Sequence, residues 1–150
     1  MLCQELMKTD VECIAPETTV ADAAARMREV NIGFLPVCDD TRKVLGTITD
    51  RDIVVRVVAS GESPQQPVEN FLSRRVVACR PTDSLVDAEE LMSREKVSRI
   101  LCINDRNELE GVFSLSDIAQ IEDGARVSAT LRSVTQRETR GATVVGLPEG

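Results

Sequence analysis

The stretch Gly46–Ile53, GTITDRDI, returns 65 residues later as Gly111–Ile118, GVFSLSDI, with glycine, a hydroxyl residue and aspartate in the same three places. The same offset carries Val11 onto Val76, Pro16 onto Pro81, Asp22 onto Asp87 and Met27 onto Met92. It then runs without a gap through Asp40 and Asp105 to Ile53 and Ile118. An ungapped register of that length marks a tandem duplication. The join is the polar Pro/Gly segment SGESPQQP, Ser60–Pro67, which reads as a linker. The chain therefore divides into a first repeat over 1–60, a linker over 61–67 and a second repeat over 68–122.

Each copy follows one grammar. A short apolar run, VECI or VVAC, predicts a strand that ends at Pro16 or Pro81. An amphipathic helix follows, with Val20, Ala23, Ala24, Met27 and Val30 on one face in copy one and Leu85, Ala88, Leu91 and Met92 in copy two. Two strands come next, GFLPVC and VLGTIT, or RILCI and LEGVFS, joined by the polar turns DDTRK and NDRNE. A second helix begins at the repeated motif. The fold class is α/β of the α+β kind: two β-α-β-β-α repeats related by pseudo-symmetry. Val127, Leu131 and Val134 predict an extra helix over 123–138, and the Gly- and Pro-containing end predicts a flexible tail over 139–150. In copy one the second helix carries Ile53, Val54, Val55, Val57 and Val58, apolar on more than one face. Such a helix packs on two sides, the second being either the other half of the chain or a second subunit.

Composition excludes several classes. With 42% hydrophobic and 29% charged residues the chain reads as an ordinary globular protein, long enough to fold without a disulfide or metal. It has three Phe, no Tyr and no Trp, so stacking platforms for single strands are missing. The formal net charge of −7 argues against a nucleic-acid partner. No apolar run is long enough to span a membrane, and no signal peptide is evident, which points to a cytoplasmic protein. There is no His, and the five Cys form no CxxC pair. Cys13, Cys38, Cys79 and Cys102 sit in apolar runs and read as small core residues in a reducing compartment. The same lack of His, and of any nucleophile beside a base, argues against an enzyme.

The motif itself has two readings. Thr49 with Asp52, and Ser114 with Asp117, have the spacing of a helix capping box, as do Thr19 with Asp22 and Ser84 with Asp87. Only the second-helix pairs follow a glycine within a strand, Gly46 and Gly111, a sign that a ligand or another backbone comes close. A strand-to-helix junction also suits a phosphate, and a carboxylate there suits a ribose diol.

The double copy IGFLPVCDDTRKVLGTITDRDI and VSRILCINDRNELEGVFSLSDI resembles the paired cystathionine β-synthase (CBS) domains, the Bateman module, over roughly residues 3–122. Within that family it is most like small stand-alone bacterial CBS-pair proteins. The resemblance implies two copies packed through their sheets, with two clefts that take adenosine ligands. AMP, ADP or ATP head the candidates; NAD(H) and S-adenosylmethionine rank below, and no cofactor is required. It also implies that Asp52 and Asp117 bind ribose hydroxyls, and that Thr49 and Ser114 bind the phosphate or ribose side. The backbone near Ile14 and Ala15, and near Val77 and Ala78, would face the base. So would Ile32, Gly33, Phe34, Leu35 and Pro36, and in copy two Arg99, Ile100 and Leu101. Such modules dimerise through their helices, so a homodimer is expected. The copies differ: Arg51 in copy one is a candidate phosphate cation that copy two lacks, while copy two has Arg99 and Lys96 in place of Phe34 and Asn31. The copy-one cleft is thus the better phosphate site. The resulting reading is a ligand-responsive regulatory module signalling to an unknown effector protein. The alternative is a structural dimer or stress-related interaction protein with empty clefts.

Overall fold

The computed structural model describes residues 1–121 and 124–139. The first helix of each copy, α1 (Val20–Val30) and α3 (Leu85–Glu95), starts where the hydroxyl of Thr19 or Ser84 accepts the N–H of Asp22 or Asp87. Each ends on a residue in the left-handed region, Asn31 or Lys96. A hairpin follows in each copy: β1 (Phe34–Cys38) with β2 (Val44–Thr49), and β4 (Arg99–Ile103) with β5 (Leu109–Ser114). The turns close as their polar residues predict. The Asp39 carboxylate accepts the N–H of Thr41 and Lys43, and the Asn104 side-chain oxygen accepts those of Arg106 and Glu108.

The strand expected ahead of the first helix is much reduced. In copy two it is β3 (Ala78–Cys79), parallel to β4; in copy one it shrinks to a single bridge between Ile14 and Val37. Pro16 and Pro81 end the run on one side. On the other, Val11 and Val76 pack between the two halves.

The start of each copy folds onto the other copy. Two 3₁₀ turns, Cys3–Glu5 and Val68–Asn70, stand at the repeat offset. The Cys3 N–H donates to Asp83 O at 2.9 Å and the Val68 N–H to Thr18 O at 2.8 Å. Further on, Lys8 pairs with Val112 of β5, and Ser73 pairs with Thr47 of β2. Cys3, Leu6 and Met7 thereby join the core of copy two, built on Leu85, Met92, Ile100, Phe113 and Ile118. Val68 and Leu72 join that of copy one, with Val20, Leu35, Val37 and Ile48. This exchange explains the motif glycines. A Cβ on Gly46 would lie 2.4 Å from Ser73 O, and one on Gly111 2.9 Å from Lys8 O. The close approach is another backbone.

A pseudo-twofold axis relates the halves. The Val44 N–H donates to Asn107 O at 3.0 Å and the Leu109 N–H to Arg42 O at 2.9 Å, a matched pair of bonds between equivalent residues. Cys38, Leu101 and Leu109 form the apolar seam there. The equivalent residues Phe34 and Arg99 also meet, the guanidinium 5.9 Å from the ring centroid.

The second helices differ. In copy two α4 (Leu115–Ala119) is a regular α-helix. In copy one α2 (Asp50–Asp52) passes into a π-helix, Ile53–Val58, with bonds such as Ala59 N–H to Val54 O. Five of those six residues are β-branched, a composition that slightly lowers helix propensity. Val57 is buried in the copy-one core, while Val54, Val55 and Val58 are exposed. The helix is therefore not sandwiched between the halves. Beyond the repeat, α5 (Gly124–Thr139) packs on α3 and α4. Val134 is buried and Leu131 exposed, whereas the side chain of Val127 lies outside those described. The predicted tail, but for Thr139, also lies outside the described residues.

All five cysteines are free thiols. Cys38, Cys79 and Cys102 are buried as expected, and so is Cys3 through the exchange. Cys13 is only half-buried, a correction that follows from the lost copy-one strand. The Cys79 and Cys102 sulfurs are 3.6 Å apart across β3 and β4. The Cys79 thiol is pushed up to about 12, first by its contact with Cys102 and then by burial.

Candidate functional site

Both motif pairs fold as closed capping boxes. The Thr49 N–H donates to Asp52 Oδ2 at 2.9 Å and the Asp52 N–H to Thr49 Oγ1 at 3.1 Å. In copy two the Ser114 N–H donates to Asp117 Oδ2 at 2.8 Å, the Ser114 hydroxyl donates to the same oxygen, and the Asp117 N–H returns to Ser114 Oγ. One carboxylate oxygen is thus committed to the helix start. The other faces a cation: Lys8 lies 3.1 Å from Asp117 Oδ1, and Arg56 lies 3.8 Å from Asp52 Oδ1. Burial pushes the Asp117 carboxyl up, but the Ser114 N–H, the Lys8 ammonium and the Ser114 hydroxyl outweigh it and hold it below its ordinary value. Capping and charge pairing keep both aspartates in place.

Two clefts flank the pseudo-twofold axis, and their linings correspond at the repeat offset. The larger, about 350 Å³, is bounded on the copy-one side by Gly33, Phe34, Thr49, Asp50 and Arg51. Its copy-two wall is the apolar set Val76, Val77, Val97 and Leu101, with Arg75, Lys96 and Arg99 at its edges. Four cations thus face one carboxylate, Asp50. The other cleft, about 280 Å³, is lined by Val11, Ile32, Phe34, Leu35 and Pro36, with Val112 across from them. Its charged residues are Lys8 and Arg99 against Asp10 and Glu12, which balance. Only the first cleft has a marked preference for an anion. Its volume lies within the range of small-molecule sites, ~300–1,000 Å³.

Of the residues singled out in the sequence, Gly33, Phe34, Thr49, Arg51, Val77, Arg99 and Leu101 come together in the larger cleft. Ile32, Phe34, Leu35, Pro36 and Arg99 meet in the smaller. Ser114 lines a third cavity of about 380 Å³, beside Ser98, Arg99 and the α5 residues Leu131 and Val134. Ile14, Ala15, Asp52, Ala78, Ile100 and Asp117 are in none of these three linings. For Ile100 the reason is strand alternation: Arg99 and Leu101 face the cleft, so Ile100 points into the copy-two core. Arg75, Lys96 and Asp50 were not singled out as site residues. Lys96, which ends α3 in the left-handed region, enters the sequence reading as a difference between the copies and not as a site residue. Arg75, directly before the Val76–Val77 wall, could have been raised by the same comparison, since Asp10 stands at its equivalent position.

The family model for the CBS domain matches residues 3–59 and 68–124. The chain belongs to the CBS domain family. This CBS pair is 37% identical over 116 residues to the CBS domain-containing protein YhcV of Bacillus subtilis, covering 77% of this chain and 81% of that one. It is 31% identical over 118 residues to hypoxic response protein 1 of Mycobacterium tuberculosis, 78% of this chain and 82% of the relative. The crystal structure of Hypoxic Response Protein I with two coordinated zinc ions superposes with a TM-score of 0.73 at 29% identity, over 82% of this chain and 100% of that chain. At 20% identity, a likeness that shows the fold alone, the structure of CBSX2 in complex with AMP gives a TM-score of 0.70 over 79% of this chain and 93% of that one. Among the described residues of the CBS pair, no group of three or more His, Cys, Asp and Glu is placed to hold a metal ion. Nor does any described helix have the length and apolarity to cross a membrane.

Proposed function

We propose that the CBS pair is a regulatory module that binds an adenosine nucleotide in the cleft beside Thr49. The observation that carries this reading is the cleft's division of labour. Val77, Val97 and Leu101 offer an apolar wall to a base, while Arg51, Arg75, Lys96 and Arg99 offer charge to phosphates. The Thr49 hydroxyl stands at the same edge. Four cations favour ATP or ADP over AMP, and any of these over the uncharged parts of NAD(H) or S-adenosylmethionine. Asp52 is assigned the ribose through its second oxygen, for which Arg56 is the present neighbour. The charge-balanced cleft is assigned the weaker affinity, with Asp117 in the corresponding role. The AMP complex of CBSX2 supports the ligand class as a precedent within the fold. The chain is read as a binding module without catalysis, in the cytoplasm, where its thiols stay reduced. The exposed Val54, Val55 and Val58 are assigned to a homodimer, and an effector protein to the ligand-dependent surface.

The test is thermal unfolding of the full chain with AMP, ADP, ATP, NADH and S-adenosylmethionine. A ligand at 100 times its Kd stabilises the native state by about 2.7 kcal/mol. ATP or ADP should give the largest shift, Arg51→Ala should shrink it, and Asp52→Ala should remove it beyond the loss of the cap. No shift with any nucleotide would leave the structural-dimer alternative standing. A full shift in Asp52→Ala would refute the ribose assignment alone.

A further inference from the structure

We infer that α5, the described helix outside the repeat, is a wall of the larger cleft, and that its docking is coupled to occupation of that cleft. This rests on the nucleotide reading above. Val134 of α5 is 7% exposed and lines the cleft together with Val97, Ser98 and Arg99. The neighbouring Ser133 ties α5 to α3 twice: its hydroxyl donates to Ser93 O at 2.7 Å, and its carbonyl accepts from Lys96 Nζ at 3.4 Å. Lys96 is itself one of the cations of the cleft. An ammonium has three protons, so Lys96 can hold the Ser133 carbonyl and a phosphate at the same time. A bound nucleotide then fixes the lysine that holds α5, and covers the remaining surface of Val134.

The two clefts are not equivalent in this respect. None of the described α5 residues lines the smaller cleft. Among the described residues, α5 packs on α3 and α4 of copy two. The family match ends at residue 124, where α5 begins. The helix thus lies outside the two repeats and lines one of the two clefts, and it is the element whose packing senses the occupant.

Hydrogen exchange on the full chain, with ATP and with AMP as probes, tests the coupling. Both the cleft backbone over 47–52 and the α5 amides over 128–135 should exchange more slowly with ATP. Coupled sites differ by about 5–150-fold, so slowing of α5 by about fivefold or more is expected. The coupling is reciprocal. Val134→Ala should therefore both speed α5 exchange in the ligand-free chain and weaken ATP. Arg51→Ala should weaken ATP while leaving ligand-free α5 exchange unchanged. Slowing at 47–52 with α5 unaffected overturns the coupling and leaves the nucleotide reading intact. No slowing anywhere with either nucleotide overturns both.

Discussion

Gly46 and Gly111 show how one residue type can carry two readings, a ligand or another backbone close by, between which only the structure chooses. Each sits where the leading segment of the other copy crosses its strand, and at Gly46 the nearest atom is a backbone carbonyl, 2.4 Å from a built Cβ. Gly46→Ala should destabilise the fold by about 1–3 kcal/mol, the usual range for overpacking. Gly111→Ala should cost less, because the atoms nearest its Cβ belong to the flexible side chain of Met7. Urea midpoints of the two variants check the order. Asp117 offers a pH test. Its folded value lies below the ordinary 3.8, so its stabilisation is complete above that pH and is lost as pH falls through the lower, folded value. The stability gap between the parent and Asp117→Asn should therefore narrow as pH is lowered below 3.8. A gap that widens in acid would contradict the Lys8 and Ser114 contacts as its cause.

At the scale of elements, the second helix of copy one separates two duties on adjoining residues. Val57 is 1% exposed and packs in the copy-one core, while Val58 beside it is 68% exposed. Val57→Ala should cost about 2 kcal/mol through the lost methyls and the cavity left behind. Val54→Asp with Val58→Asp should leave the stability of a monomer within about 0.5 kcal/mol, as for ordinary surface changes. Sedimentation should show that the double variant is monomeric at concentrations where the parent is a dimer. A parent that sediments as a monomer removes the dimer assignment. The helix starts were legible because a capping box is local: both partners lie within one turn, as Thr49 and Asp52 do. The π winding was hidden, since apolar periodicity reports which residues face inward and says little about the pitch that brings them there.

At the scale of the molecule, the exchange of leading segments makes each half incomplete alone. Copy one takes Val68 and Leu72 from beyond the linker, and copy two takes Cys3 and Met7 from the start of the chain. The chain should therefore unfold in one cooperative transition, with coincident curves from calorimetry and circular dichroism. A fragment ending at residue 60 should show no such transition. Two separated transitions in the full chain would mean that the exchanged segments contribute little. The same exchange, with the matched bonds at Val44 and Leu109, is what brings Arg75 and Lys96 of one copy opposite Thr49 and Arg51 of the other.

By itself the sequence determined what depends on short range and on repetition: the duplication, the helix starts, the hairpins and their turns, the buried Val20, Ala23 and Met27 of α1 but not its exposed Ala24 and Val30, the buried Leu85, Ala88 and Met92 of α3, and the family. These follow from periodicity and from partners a few residues apart. Only the tertiary structure decided which copy each leading segment joins, why the glycines are there, and which cleft gathers the cations. Those outcomes depend on residues tens of positions apart, such as Gly46 with Ser73 and Phe34 with Arg99. Spacing along the chain carries no record of such meetings, because two pseudo-symmetric halves can be joined in more than one way.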